Sequence, residues 1–350
     1  MTISWNDFFQ ELIHNGILRI TVLLMMTVIL INGWTDAPNA IASSIGTRAL
    51  KPKTALFIAT IFNFLGVLFM SLINTTVAQT IYLMVDFQGD ARLALAVLCA
   101  AMISIVLWSI MAWSFGIPTS ESHALIAGIS GAAIAFQNGF KGINGSEWVK
   151  VLYGLVFSSL IGFVLGYLLV KLIGFFFKNT NYLNMRHLFK RGQAITSATM
   201  AFMHGAQDGQ KFIGVFMLGI FLSKGLTNNF FFHIPLWLMV LCSAIMAIGT
   251  SIGGYKIIKS IGIDMVRLSS YQAFASDLAS TSLLLTSSLM GIPVSTTHMK
   301  TMSLMGSALA QRKSSINWQV VNDIIWTWLL TFPGCGLIGF LIAKVFIIIA

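Results

Sequence analysis

Charge is scarce in this sequence. Asp, Glu, Lys and Arg together supply 9% of its 350 residues, against 57% hydrophobic ones. A soluble globular domain carries about a quarter charged residues, so that class is excluded. The three cysteines, Cys99, Cys242 and Cys335, are too widely spaced for a metal-ligand set or a disulfide framework, and read as small apolar packing residues. No G-x-x-x-x-G-K-[ST] phosphate loop, G-x-S-x-G elbow or H-E-x-x-H helix occurs. ATP-driven transport and hydrolytic catalysis therefore lack their usual groups; neither an enzyme nor a bound cofactor or metal is expected.

What the chain has instead is long apolar runs. A bilayer takes about 20 such residues per helix. Suitable stretches lie at 16–45, 54–84, 91–115, 121–138 and 148–177, then at 193–222, 233–254, 269–291, 293–311 and 317–349. Lipid offers the backbone no hydrogen-bond partner, so each is expected to be helical and lipid to be its solvent. The first run is too long for a signal peptide and is expected to be retained.

The net charge of +10 is distributed as a membrane protein's rather than a nucleic-acid binder's. Links 46–53, 178–191, 255–267 and 311–314 hold twelve Lys and Arg; links 85–92, 139–147 and 223–232 hold only Arg92, Lys141 and Lys224. The positive-inside rule puts the first set in the cytoplasm. Both termini then lie outside, in a multi-pass protein of the cell membrane.

The sequence also repeats itself. Gly116-Ile117-Pro118-Thr119-Ser120-Glu121-Ser122-His123 returns 175 positions later as Gly291-Ile292-Pro293-Val294-Ser295-Thr296-Thr297-His298. Gly131, Ala133 and Ala135 recur as Gly306, Ala308 and Ala310. Upstream, Gly33, Asp36, Asn39 and Ile41 answer to Gly205, Asp208, Lys211 and Ile213 at an offset of 172. Five crossings per half is an odd number, which forces the halves into opposite orientations. The expected fold is an all-α polytopic membrane protein, an inverted-topology repeat with broken helices or re-entrant hairpins at the midplane. Its parts are a first repeat over 1–177, a basic cytoplasmic linker over 178–192 and a second repeat over 193–350.

Each duplicated motif carries polar chemistry into apolar surroundings. Gly33 and Pro38 flank Asp36, and the helix should unwind there, exposing carbonyls for a cation and amides for an anion. Asp208, between Gly205 and Gly209, is expected to do the same, with Lys211 beside it. The second motif reads as proline followed by a Ser/Thr cap. Hydroxyls and first-turn amides at 120–122 and 295–297 would suit a tetrahedral oxyanion. Glu121 beside an anion site needs a proton or cation and is a natural coupling residue. Asp277 is another intramembrane acid with the same potential. His123 and His298 are open between proton carrier, ligand and satisfied core residue.

At these motifs the chain resembles the inorganic phosphate transporter (PiT) family, whose half-signatures are Gly-x-Asn-Asp-x-x-Asn and Pro-x-Ser-Thr-Thr-His. The match runs from about residue 30 to 310 in four ordered motifs, with Phe62-Asn63-Phe64-Leu65-Gly66 a further likeness. The resemblance implies a secondary symporter importing inorganic phosphate, alone or as a metal–phosphate complex, commonly as a homodimer. Its phosphate site would draw on Asp36, Asn39, Ser120, Ser122, Asp208, Ser295, Thr296 and Thr297, with Lys211 offsetting negative charge; Asp36, Asp208 and Asp277 would serve the coupling cation. Thr35 and Gln207 replace the family's Asn, and Glu121 replaces a hydroxyl residue. Fewer amide oxygens and an added carboxylate favour H+ over Na+. A carrier of another oxyanion such as sulfate, or a passive anion channel, is the alternative.

Overall fold

A computed structural model describes residues 3–87, 89–225, 233–311 and 315–349. A short amphipathic helix, α1 (Trp5–His14), precedes the first apolar run. That run is broken as the sequence suggested: α2 (Gly16–Thr35) stops, Asp36, Ala37 and Pro38 form a turn, and α3 (Asn39–Gly46) restarts. The second run is likewise divided into α4 (Pro52–Ile73) and α5 (Thr76–Leu83), followed by the unbroken α6 (Ala91–Ser114). The half closes with α7 (Glu121–Phe136) and the long α8 (Gly145–Phe176).

In the second half α9 (Tyr182–Ser223) is continuous for 42 residues. Two expectations change here. The basic linker 178–192 is mostly the first turns of this helix. Asp208 does not sit at a break, because the position matching Pro38 is Gln210, which keeps its amide donor. Then come α10 (Leu236–Ile252) and α11 (Tyr255–Lys259), which runs into one turn of π-helix, Ser260–Met265. The bend between α10 and the α11–π segment is 65°. Finally α12 (Ser270–Leu289), α13 (Thr296–Leu309) and α14 (Trp318–Ile349) complete the chain. Arg312, Lys313 and most of link 223–232 lie outside the described residues.

Among the described residues, five helices, or six counting the bent pair, are long and apolar enough to cross a membrane. At 1.5 Å per residue, the 14 residues of α13 span about 21 Å, short of a bilayer's hydrocarbon core. The 16-residue α7 is short for the same reason. The outward faces of α8 and α14 carry Leu152, Leu160, Leu168, Leu330, Leu337 and Leu341, each about half exposed, as lipid-facing surfaces do.

The two short helices cross over. Helix α7 packs on α14 of the other half, and α13 packs on α8. The contact points are the echoed glycines: a Cβ at Gly131 would lie 2.0 Å from the Gly336 carbonyl oxygen, and one at Gly306 2.0 Å from that of Phe163. Only a hydrogen lets the backbones approach this closely, as membrane helix interfaces favour. Links 85–92 and 139–147 join through the Val85–Ile143 bridge, and Val266 pairs with Ile316, so the ends grouped by charge are neighbours.

Candidate functional site

The repeated Gly-Ile-Pro turns build the site from both halves. Gly116 and Gly291 take φ of 70° and 69°, a left-handed conformation that glycine adopts without strain. The Ile117 amide then reaches back to the Ala112 carbonyl, and that of Ile292 to Ser287, closing α6 and α12. Glycine, rather than Pro118 or Pro293, therefore ends these helices; each proline fixes the extended segment that follows. That segment delivers Ser120 and Ser295 as N-caps, accepting from the His123 amide at 3.3 Å and the His298 amide at 3.2 Å.

The two caps meet. Ser120 Oγ lies 2.8 Å from Ser295 Oγ, so the N-termini of α7 and α13 point their positive ends at one buried place. Around it gather three carboxylates and one ammonium, all buried. Asp36, in the break between α2 and α3, accepts from Asn39 Nδ2 at 2.8 Å, from the Thr297 hydroxyl and from the Glu121 amide at 3.4 Å. Asp208 accepts from Lys211 Nζ at 2.6 Å, Ser122 Oγ at 3.4 Å, Thr296 Oγ1 at 3.1 Å and Asn32 Nδ2 at 3.3 Å. Glu121 accepts from Ser109 Oγ at 2.6 Å and Thr35 Oγ1 at 3.1 Å. Lys211 Nζ is held by three oxygens: Asp208 Oδ1, Ser122 Oγ at 2.6 Å and the Val294 carbonyl at 2.5 Å.

Symmetry of sequence has become symmetry of contact. Asp36 is met by Thr297 from the far half, and Asp208 by Ser122, which is Thr297's counterpart at offset 175. Each acid is thus capped by the hydroxyl of the opposite repeat. The exception is the residue three positions on, neutral Asn39 in one half and charged Lys211 in the other.

His204 enters the site although only its motif stood out in the sequence. Its Nδ1 is 3.0 Å from Asn63 Oδ1, and its Nε2 lies 3.3 Å from Asp208 Oδ2, off the line a hydrogen bond needs. Asp36, His204 and Asp208 offer ligand atoms within 4.8 Å of one another, a donor set that could hold a cation. Asn32 and Ser109 were also missed, since single polar residues inside apolar helices give no pattern; Thr35 stood out only as a replacement for the family's Asn, not as a donor to Glu121.

Three expected residues stand elsewhere. His123 and His298 meet edge to face with centroids 4.0 Å apart, packed on Phe332 and Trp328. Neither His123 nitrogen, nor Nε2 of His298, has a hydrogen-bond partner among the described residues. Asp277 pairs with Lys300, with Ser43 Oγ at 2.8 Å and with Thr196 Oγ1 at 3.1 Å, and touches none of the central acids.

The profile of the phosphate transporter family matches residues 32–339, nearly the whole chain. This chain belongs to that family. A relative from Bacillus subtilis (strain 168), named "Probable low-affinity inorganic phosphate transporter", is 32% identical over 91% of this chain and 96% of its own length. One of the same name from Rhizobium meliloti (strain 1021) is 34% identical, covering 88% of this chain and 90% of its own. A solved structure entitled "The sodium-dependent phosphate transporter" superposes with a TM-score of 0.87 at 22% identity, covering 96% of this chain and 100% of its own. The transporter is therefore a multi-pass helical membrane protein, and its relatives are named as carriers rather than enzymes.

Proposed function

We propose that the transporter imports inorganic phosphate by symport with a cation, through the pocket where the Ser120 and Ser295 caps meet. That 2.8 Å contact between equivalent hydroxyls of opposite repeats carries the reading. Around it stand Ser122, Thr296, Thr297 and the first-turn amides of α7 and α13, donors suited to a tetrahedral oxyanion.

The hydrogen bonds suggest how anion and cation are coupled. Thr297 now donates to Asp36, and Thr296 and Ser122 donate to Asp208. A phosphate that takes these hydroxyls strips both carboxylates of their donors. Asp36 and Asp208 must then be satisfied by something positive, and a proton or Na+ does this. Charge points the same way: Asp36, Glu121 and Asp208 outnumber Lys211, and a phosphate adds negative charge to a site that already has an excess. Two like charges about 4 Å apart repel by about 4 kcal/mol at an effective dielectric constant of 20. Anion entry without a cation is opposed on both counts.

Thr35 and Gln207, where the family pattern has Asn, together with Glu121, favour H+ as the coupling ion. The Asp36, His204 and Asp208 donors favour a second form of the same reading, in which a divalent metal travels with the phosphate. The halves form an inverted repeat that rocks to alternate access. Both termini lie outside and the 178–192 segment inside the cell membrane, and a homodimer is the working assembly. Radiolabelled phosphate uptake into proteoliposomes, under separately imposed H+ and Na+ gradients with sulfate as competitor, is the test. Uptake indifferent to both gradients would point to a passive channel; stronger competition by sulfate than by unlabelled phosphate would change the substrate.

A further inference from the structure

Lys300 has no part in the site above, and nothing in the repeat accounts for it: its counterpart at offset 175 is Leu125. It is fully buried. Its ammonium contacts Asp277 and lies 3.0 Å from Ser43 Oγ, while Thr196 Oγ1 donates to the other Asp277 oxygen at 3.1 Å. Membrane proteins retain such charges chiefly for function.

The pair lies next to the central pocket along two helices at once. Ser43 follows Asn39 by four residues on α3, and Lys300 follows Thr297 by three on α13, each about one turn or 5 Å further on. The same face of α3 continues to Thr47, whose Oγ1 donates to Gln193 Oε1 at 2.8 Å. Beyond lies open space. Ser43, Thr47 and Arg267 line a cavity of about 200 Å³, and Thr47 is shared with a second of about 250 Å³ that includes Arg186. Arg186 and Arg267 belong to the links assigned to the cytoplasm by charge. Among the described residues, four buried polar atoms on the surrounding helices lack partners: Ser276 Oγ, Ser197 Oγ, Gln193 Nε2 and Thr301 Oγ1. Buried groups of this kind call for a ligand or water.

We infer that Lys300, Asp277 and Ser43 form a second, transient site for phosphate, on the way from the central pocket to the arginine-lined cavities. The inference rests on the phosphate-carrier reading. A lone buried lysine would trap a multivalent anion. Asp277 competes for the same ammonium, so the anion is held while passing and then displaced, which conduction requires.

A purely structural ion pair behaves differently. Replacing both partners by apolar groups of similar volume is often neutral or stabilising. The test is the double variant Asp277→Leu/Lys300→Met, compared with the parent in equilibrium binding of inorganic phosphate to purified protein and in proteoliposome uptake. The expected result is phosphate affinity within about threefold of the parent and initial uptake lower by about tenfold or more, a barrier increase of about 1.4 kcal/mol. Uptake at the parent rate, or loss of binding together with uptake, overturns the inference. Should the double variant not fold, Ser43→Ala, which leaves the ion pair in place, decides: initial uptake should fall by about threefold or more with phosphate affinity within about threefold of the parent, and uptake at the parent rate overturns the inference. A parent that moves no phosphate defeats the carrier reading itself, whereas a transporting parent with an unaffected variant defeats this inference alone.

Discussion

At the scale of single residues, the contrast between Asn39 and Lys211 has the clearest consequence. The Lys211 ammonium sits among a carboxylate, a hydroxyl and a carbonyl oxygen at 2.5–2.6 Å, the kind of shell a small cation would occupy. It is a tethered cation on Asp208, whereas Asp36 has only the neutral Asn39. Lys211→Asn should therefore make uptake depend more steeply on the coupling cation, read as a higher Hill coefficient. It should also lower thermal stability in the absence of that cation, because it strands the buried Asp208. Asp208→Asn and Asp36→Asn should differ in kind. Removing Asp208 strands a buried ammonium, which typically destabilises by about 3–5 kcal/mol, so thermal stability should fall along with transport. Removing Asp36 strands no charge, so transport should be lost from a protein that melts near the parent temperature. Equal melting losses in the two variants would contradict this account. Glu121, with both oxygens accepting hydroxyls, is the candidate proton carrier: Glu121→Ser should shift the pH profile of uptake, and an unmoved profile would take that role away.

At the scale of elements, the repeat motifs prove to be instructions for backbone geometry as much as for ligand chemistry. Gly116 and Gly291 make left-handed turns, Ser120 and Ser295 cap, and Gly131 and Gly306 let α7 and α13 press against carbonyls of α14 and α8. The caps were legible because a pattern written twice stands out from an apolar background; the left-handed glycine turns, read in the sequence as proline stops, and the close contacts of Gly131 and Gly306 were not. What else was not legible lacked a second copy or a local signal. Lys300 and Asp277 are 23 residues apart on different helices, and their pairing depends on how α12 and α13 fold back. Asp208 was misjudged because Gly205 and Gly209 resemble helix breakers. They are packing residues: a Cβ at Gly205 would lie 2.4 Å from the Asn63 carbonyl oxygen, and one at Gly209 2.6 Å from Val67. Without a proline the i→i−4 ladder survives them. Gly131→Ala and Gly306→Ala should accordingly destabilise by about 1–3 kcal/mol each, as overpacking does. A thermal-shift series would show it, with Gly145→Ala, where a Cβ meets nothing, as the neutral control.

At the scale of the whole molecule, each half is completed by the other. Helix α7 has its main partners in α14 and α6, and α13 in α8 and α12. Neither half alone can cover its short helix. Alone, the 1–177 segment would leave Ser120 without Ser295 and Ser122 without Asp208 and Lys211, and buried polar groups that lose their partners are heavily penalised. The central charges impose the same dependence, because Ser122 and Thr297 each serve the acid that belongs to the opposite repeat. Cutting the chain in the turn before α9, between Asn179 and Thr180, should therefore give two fragments that are unstable when expressed singly. Expressed together they should associate, so that a tag on one recovers both from detergent, and phosphate uptake should return with the pair. A first fragment that stays monodisperse by itself would mean that the α7–α14 contact is incidental. In that case the two caps would not be held together by the interlocked halves, and the shared pocket would lose its structural cause.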